Sequence, residues 1–547
     1  MLVVELNRAN FEYDVNSIVR AFYPEEQVYV LTPECREEKR AQFGGSVRIR
    51  VGLREDGALL SIDGNDYLWE WRGDAPEDFG FSGSAYVCAD VGTVPEEAGD
   101  VAEEPDSAVV RPEDMICAEE AAVHGKTIKE TEEDEKEYKY GFKCFFYRTL
   151  CEETGKELPW GNLTGIRPTK IAYQLLEQGA CEEDIIEHYM QRYYVSREKA
   201  ELSVDIARRE RELLSGLGSK GELPGEGSGY SIYIGIPFCP STCLYCSFTS
   251  FPIAAYRKDV DRYIDCLIRE MEHVAELYRD RRLDCVYIGG GTPTTLEAEQ
   301  LERLLVRLKG LFDFSSVREF TVEAGRADSI TEDKLRVLYR YGVDRISVNP
   351  QTMKQETLDV IGRKASVEQV EEAYALARRA GFDNINMDLI LGLPGELEAD
   401  VQRTIDRVVE LAPDSLTVHS LAIKRASRLN RWIQENGMPV LHNTDETMGI
   451  AAKGAERLGL VPYYLYRQKN MSGNFENVGY AREGKFGLYN ILIMEEKQTI
   501  VACGAGSISK RVYPDGLIKR SENVKDVSQY IERIGEMIER KRVLLED

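Results

Sequence analysis

From about residue 230 to 430 the chain switches six times between a short run with the two-residue period of a strand and a longer run with helical periodicity. The candidate strands are Ser231–Phe238, Cys285–Gly289, Glu319–Glu323, Arg345–Val348, Asn384–Leu391 and Ser415–Leu421. Helical runs lie between them, for example Arg257–Tyr278, Thr331–Tyr341 and Val367–Ala380. A strand that returns parallel to its predecessor needs a crossover, and a helix is the usual one. Six such units predict an α/β fold with a parallel sheet, open or curled into a barrel. Sheets of this kind hold ligands in the loops that follow the C-terminal ends of their strands.

The rest of the chain is organised around that core. Residues 1–137 read as a mixed α/β domain ending in an acidic linker. Val47, Ile49 and Val51 alternate with polar residues, Arg54-Glu55-Asp56-Gly57 supplies a turn, and Ala58 to Ile62 can return as a second strand. Residues 96 to 137 are acidic, with Glu132-Glu133-Asp134-Glu135 read as solvated surface. Residues 138–229 are helical and end in the run Gly221-Glu222-Leu223-Pro224-Gly225-Glu226-Gly227-Ser228-Gly229, the clearest boundary in the sequence. Within them Arg167 and Lys170 read as a solvated helix start. The core spans 230–430, and 431–547 reads as a small helix-rich domain with some strand.

Charge removes several classes of function. Lys plus Arg number 69 against 95 for Asp plus Glu, a net charge of −26 over 547 residues. This argues against nonspecific binding to nucleic acid or an anionic membrane. No window approaches the roughly 20 apolar residues of a membrane span. The start, Met1-Leu2-Val3-Val4-Glu5-Leu6, does not read as a signal peptide, so the expected compartment is the cytoplasm. Twelve cysteines are too few for a disulfide scaffold in a chain of this length.

Three of those cysteines are tightly spaced. Tyr233-Ile234-Gly235-Ile236-Pro237-Phe238-Cys239-Pro240-Ser241-Thr242-Cys243-Leu244-Tyr245-Cys246 leaves the first strand and enters a loop. One short loop can wrap Cys239, Cys243 and Cys246 around a single centre. Three thiolates can hold three irons of a four-iron cluster and leave the fourth iron without a protein ligand. A structural zinc site needs a fourth Cys or His. The nearest histidine, His273, falls in a predicted helix.

CxxxCxxC with an aromatic residue before the last Cys resembles the radical S-adenosylmethionine (SAM) superfamily. The likeness extends over about residues 230–510. Tyr233 to Cys246 is similar to the opening motif of the oxygen-independent coproporphyrinogen III dehydrogenases. Gly289-Gly290-Gly291-Thr292-Pro293 resembles their GGGTP turn, and Glu323 their third-strand glutamate. Arg345-Ile346-Ser347-Val348-Asn349-Pro350-Gln351 resembles their RxSxGxQ strand, followed by Ile361-Gly362-Arg363 and Asp388 to Gly395 in the same order. The long N-terminal extension, the LPWGxLTGIRP segment and the YRQKN stretch resemble the HemZ-like branch.

The resemblance implies a partial (β/α)6 barrel carrying a [4Fe-4S] cluster on Cys239, Cys243 and Cys246, with one or two molecules of SAM. It implies SAM contacts at Tyr233, Tyr245, Gly290, Gly291, Thr292, Glu323, Gln351, Arg363, Asp388 and Ala422. Consecutive glycines would let backbone amides approach a ligand. Asp388 sits in the apolar run Ile385 to Leu391 and needs a donor there, either a ribose hydroxyl or Arg363. The implied reaction starts with one-electron cleavage of SAM to a 5′-deoxyadenosyl radical. That radical takes a hydrogen from a substrate propionate, and loss of CO2 and one electron leaves a vinyl group. Two such steps convert coproporphyrinogen III to protoporphyrinogen IX. The implied partners are a tetrapyrrole and an electron donor such as a flavodoxin or ferredoxin. Arg425 and Arg467 are candidate propionate contacts, since the planar guanidinium suits a carboxylate; Lys424, Arg428 and Lys469 lie near them in sequence.

Two positions depart from the dehydrogenase pattern. The family His two residues after the opening Tyr is Gly235 here, and its further Cys is Phe248. Two other classes compete. A haem chaperone would carry an HNxxYW-like motif, but the matching region reads Asn490-Ile491-Leu492-Ile493-Met494-Glu495. His419 could ligate haem iron, though a single strand-end histidine is more often structural. An RNA-modifying enzyme would need a basic stripe that this chain lacks.

Overall fold

The computed structural model describes residues 1–24, 26–35, 37–43, 46–71, 128–215, 217, 229–424, 427–436, 441–468, 471 and 474–546. Arg425, Lys469 and most of the 218–229 and 96–137 segments therefore lie outside the described residues. The chain divides into two compact units, Met1–Thr164 with Glu187–Lys199, and Gly165–Ile186 with Ala200–Asp547.

The first unit is built on five strands: β1 (Leu2–Leu6), β2 (Val28–Leu31), β3 (Val47–Leu53), β4 (Gly57–Ile62) and β5 (Asn65–Glu70). Their order is β2-β1-β3-β4-β5, parallel around β1 and antiparallel from β3 to β5. The predicted Arg54–Gly57 turn is closed by Arg54 N–H donating to Gly57 O at 2.8 Å. Helix Glu12–Phe22 buries Val15, Ile18, Val19 and Phe22, the three- and four-residue spacing of one helical face. They join Phe142, Phe145, Phe146 and Leu150 of helix Ile128–Thr154 in one core. That helix starts ten residues before Tyr138, where the helical segment is expected to begin. Glu is a good helix former, and negative charge is favourable at a helix N-terminus, so the acidic run extends the helix instead of ending it.

The second unit contains the six predicted strands. β6 (Tyr230–Ile236) leads into a two-residue pair, β7 (Phe238–Cys239) and β8 (Phe251–Pro252). Then come β9 (Leu283–Gly290), β10 (Glu319–Glu323), β11 (Arg345–Ser347), β12 (Ile385–Leu391) and β13 (Ser415–Ser420). β6, β9, β10, β11, β12 and β13 lie side by side in chain order, all parallel. They form the partial barrel. The later chain extends this same sheet at both edges. β14 (Val461–Tyr466) and β15 (Asn477–Ala481) add antiparallel to β13. β16 (Thr499–Cys503) pairs parallel with β6, and β17 (Ile508–Val512) and β18 (Ile518–Glu522) follow, giving eleven strands.

Helices after each strand cover the outside. Ala298–Leu311 buries Leu301, Leu304, Leu305 and Leu308, and Val367–Arg379 starts with a capping box between Ser366 and Gln369. Along β11 to β13, Ile346, Met387, Leu389, Leu416 and Val418 are buried apolar residues, while Arg345, Ser347, Asn386, Asp388, Thr417 and His419 line a cavity. The two-residue period of a strand produces that division. Among the described residues no helix is long and apolar enough to cross a membrane.

A buried ion pair secures the C-terminal helices. Glu270, on helix Val260–Leu277, accepts from Gly504 N–H and Asn523 Nδ2, both at 2.8 Å, from Tyr530 hydroxyl and from Lys541 Nζ. Both side chains of the pair are out of solvent. Removing one member strands the other charge in the interior. Lys541→Met is expected to lower unfolding free energy by about 3–5 kcal/mol in urea denaturation, and adding Glu270→Gln should restore part of it. A loss below about 1 kcal/mol would show the pair to be dispensable.

Candidate functional site

The loop after β6 is fixed at both ends and in the middle. Phe251 N–H donates to Pro237 O at 2.8 Å, closing β7 on β8. Leu244 packs into a cluster with Leu358, Ile361, Leu393 and Leu421, and its N–H donates to Ile361 O at 2.9 Å. At the β9 end, Gly291 N–H donates to Ile236 O at 2.8 Å and Thr292 N–H to Phe238 O at 2.7 Å. A Cβ on Gly291 would stand 2.5 Å from Phe238 O, so only glycine lets the cysteine segment lie this close. The expectation that the consecutive glycines turn their amides to a ligand is therefore corrected at Gly291, whose amide, with that of Thr292, holds the cysteine loop.

Cys239, Cys243 and Cys246 are free thiols on one cavity of about 710 Å3, within the range of small-molecule sites. Cys239 Sγ lies 3.4 Å from Thr292 Oγ1, and Cys246 Sγ 3.8 Å from Ser250 Oγ. Cys243 Sγ accepts from Arg326 Nη1 at 3.4 Å. Burial pushes the Cys239 thiol up to about 11, against the opposing Thr292 hydrogen bond. Among the described residues no three His, Cys, Asp or Glu side chains converge on the coordination sphere of one ion. Three thiols with no fourth Cys or His beside them in sequence suit three corners of a four-iron cluster better than a structural zinc site, which takes four ligands.

All ten predicted SAM-contact residues line the same cavity. Tyr287 hydroxyl donates to Glu323 Oε1 at 2.6 Å. Burial raises the Glu323 carboxyl to about 7 despite that bond, with Asp388 adding to the rise. Tyr233, Tyr287 and Tyr489 stack beside it, with centroids 6.1 Å and 4.4 Å apart along the series. Gln351 has a φ of 69°, uncommon for a residue with a side chain; its N–H donates to Asp388 O and its carbonyl accepts from Ile390 N–H, both at 2.9 Å. Ala422 forms an isolated antiparallel bridge with Met471.

Three expectations change. The donor to Asp388 is Asn386, at 2.7 Å to Oδ1, while Arg363 donates to Asn349 O, Gly325 O and Tyr245 hydroxyl. Arg467 is buried away from the cavity, where Nη2 donates to Asn474 O at 3.1 Å. Arg167 is no solvated helix start, because it donates to Met494 O and pairs with Glu496 at 2.9 Å. A side chain at Gly235, where the family has His, would be tightly packed. A Cβ there would stand 3.3 Å from Cys503 O of β16, and Tyr263 hydroxyl donates to Gly235 O at 2.7 Å. The sequence reading missed the cavity roles of Arg326, Asn386, Thr417, Tyr287 and Tyr489. For Asn386 and Thr417 the signal was present, two residues from Asp388 and His419 on the same strand face.

Glu323 gives the site a pH signature. Its ionised form is disfavoured in the fold, so cluster-free protein loses stability as pH rises from 4.5 to about 7, and no further above that. Glu323→Gln removes this group's share of the dependence, while Asp344, raised to about 6 by burial, keeps its own. The variant is expected to gain roughly 3 kcal/mol on the parent between pH 4.5 and 8 in urea unfolding. Parallel profiles would mean that Glu323 titrates normally.

Residues 233–408 match the radical SAM superfamily. The chain is 40% identical over 415 residues to the oxygen-independent coproporphyrinogen-III oxidase-like protein HemZ of Bacillus subtilis, covering 75% of this chain and 82% of that one. It is 31% identical over 309 residues to the heme chaperone HemW of the same organism, covering 56% and 76%. The structure of Escherichia coli coproporphyrinogen III oxidase HemN, a radical SAM enzyme, matches at 24% identity and a TM-score of 0.46, covering 58% of this chain and 71% of that one. Proteins of the superfamily use a [4Fe-4S] cluster and SAM. By the superfamily match over residues 233–408 and the identity to HemZ over most of both chains, the chain belongs to the radical SAM superfamily, in the family of the coproporphyrinogen oxidase-like HemZ proteins.

Proposed function

We propose that this chain is a cytoplasmic enzyme that oxidatively decarboxylates propionates of coproporphyrinogen III to vinyl groups, giving protoporphyrinogen IX. The observation that carries the reading is the gathering of three loop thiols with Glu323, Gln351, Arg363 and Asp388 on one cavity. The similarity to a coproporphyrinogen-III oxidase-like protein over 82% of its length supports the substrate class. Cys239, Cys243 and Cys246 would hold the cluster. Bound together, the cluster and SAM supply one-electron chemistry that removes a hydrogen atom from an unreactive carbon.

The residues divide the remaining work. Glu323, half-buried and ready to give up its proton when a cation arrives, would take the amino group of SAM. Asp388 engages Asn386 through Oδ1, while Oδ2 is 4.0 Å from His419 and suits a ribose hydroxyl. The stacked tyrosines would shield the inner wall from water. Of the cavity cations, Arg326 pairs with Asp328, and Lys510 and Arg520 with Glu496. No carboxylate lies within ion-pair distance of Arg345, Arg363 or Lys424 among the described residues. Lys424 stands 5.5 Å from the ring of Phe248, which is 72% exposed. That aromatic and cation together suit the edge of a pyrrole and its carboxylate. A flavodoxin or ferredoxin would deliver the electron.

The test is anaerobic incubation of reconstituted protein with coproporphyrinogen III, SAM and a reductant. Vinyl product and 5′-deoxyadenosine are expected together. Formation of 5′-deoxyadenosine without a vinyl product would reject the substrate, and stoichiometric haem binding without turnover would point to a chaperone. Lys424→Ala is expected to raise KM for the tetrapyrrole roughly tenfold with a smaller change in kcat, as for a lost charged hydrogen bond. An unchanged KM would remove Lys424 from the substrate site.

A further inference from the structure

Arg326 has a geometry that SAM binding does not explain. It is 4% exposed. Nε and Nη2 donate to both carboxylate oxygens of Asp328, at 2.9 and 2.8 Å. On its other side Nη1 reaches Cys243 Sγ at 3.4 Å and Ser241 O at 3.3 Å, and Nη2 also reaches Ser241 Oγ at 3.2 Å. The short loop after β10 thus presents a guanidinium to the cysteine loop, with its counterion behind it. The other two sulfurs meet hydroxyls at 3.4 and 3.8 Å. Among the described residues only Cys243, of the three, has a side-chain cation donating to it at hydrogen-bond distance; the Arg363 guanidinium also interacts with its sulfur, but Arg363 belongs to the expected SAM site.

We propose that Arg326, oriented by Asp328, is a positioning residue that raises the reduction potential of the cluster through a charge-assisted N–H···S bond to Cys243. The inference rests on the reading of Cys243 as a cluster ligand. Reduction adds one negative charge to the cluster and its thiolates. A cation hydrogen-bonded to a ligand sulfur stabilises the reduced state more than the oxidised one, and burial reduces the screening of that effect. Asp328 acts in the opposite sense, since its carboxylate lies behind the guanidinium and offsets part of its field. A residue that merely propped the loop would not produce these opposite signs.

The experiment is an EPR-monitored redox titration of the full chain after anaerobic reconstitution, without SAM or substrate, with iron and sulfide measured on each sample. Arg326→Gln is expected to keep its iron and to show a more negative potential. The ratio of reduced to oxidised cluster at a fixed poise should fall roughly tenfold. Arg326→Lys should recover part of the parental potential, and Asp328→Asn should move it in the positive direction. A parental potential in fully loaded Arg326→Gln overturns the proposal. So does a shift of Asp328→Asn in the same direction as Arg326→Gln, which would mark both residues as loop props. If Arg326→Gln fails to take up iron, the Lys and Asn variants decide by the same signs. A parent chain that binds no four-iron cluster would instead reject the ligand reading on which this rests.

Discussion

Polar side chains on the inner face of the six parallel strands are removed from bulk water, and each needs a partner from the protein or a bound molecule. Much of the site follows from how that need is met. Tyr287 serves Glu323, Asn386 serves Asp388, and Tyr245 serves Arg363. Some capacity is left over: Arg345 Nε, Ser347 Oγ and Arg363 Nε are buried without a hydrogen-bond partner. The outward neighbours on the same strands, such as Ile346, Met387 and Val418, are buried apolar residues. One backbone period therefore builds both the core that holds the sheet and the wall that receives a ligand.

The thiol loop depends on a different economy of backbone groups. Its turn near Cys239 is held by amides of Gly291 and Thr292, and a side chain at Gly291 would collide with Phe238 O. Leu244, between the second and third cysteines, is anchored in an apolar cluster. The sulfurs are thus placed by neighbours that have no chemistry of their own. A charged neighbour is Arg326, brought to Cys243 by a loop about 80 residues further along the chain.

The two departures from the dehydrogenase pattern have physical counterparts. Gly235 is closed in by β16, which comes from residues 499–503 and pairs with β6. Phe248 turns outward and meets Lys424. An acid–base group is thereby exchanged for close strand packing, and a thiol for an aromatic beside a cation. His419 remains on the cavity, but its Nδ1 lies 3.4 Å from Tyr466 hydroxyl and burial lowers its basicity.

The six strands were legible because alternation and turn residues act locally, and each observed strand lies within two residues of its expected bounds. The cysteine spacing and the glycine run were legible for the same reason. Asp388's partner was not, since Asn386 and Arg363 are both plausible donors until the strand pleat puts Asn386 on the same face. Arg467 misled because a basic residue in a loop reads as available, whereas folding buried it against Asn474. By itself, then, the sequence determined the strand–helix order, the family and the trio of sulfur donors, all set by neighbours along the chain. Only the tertiary structure decided that β16 closes on β6, that Glu323 sits deep enough to hold its proton to about 7, and that Arg326 reaches Cys243. Those three depend on contacts between segments tens to hundreds of residues apart, which no local pattern encodes.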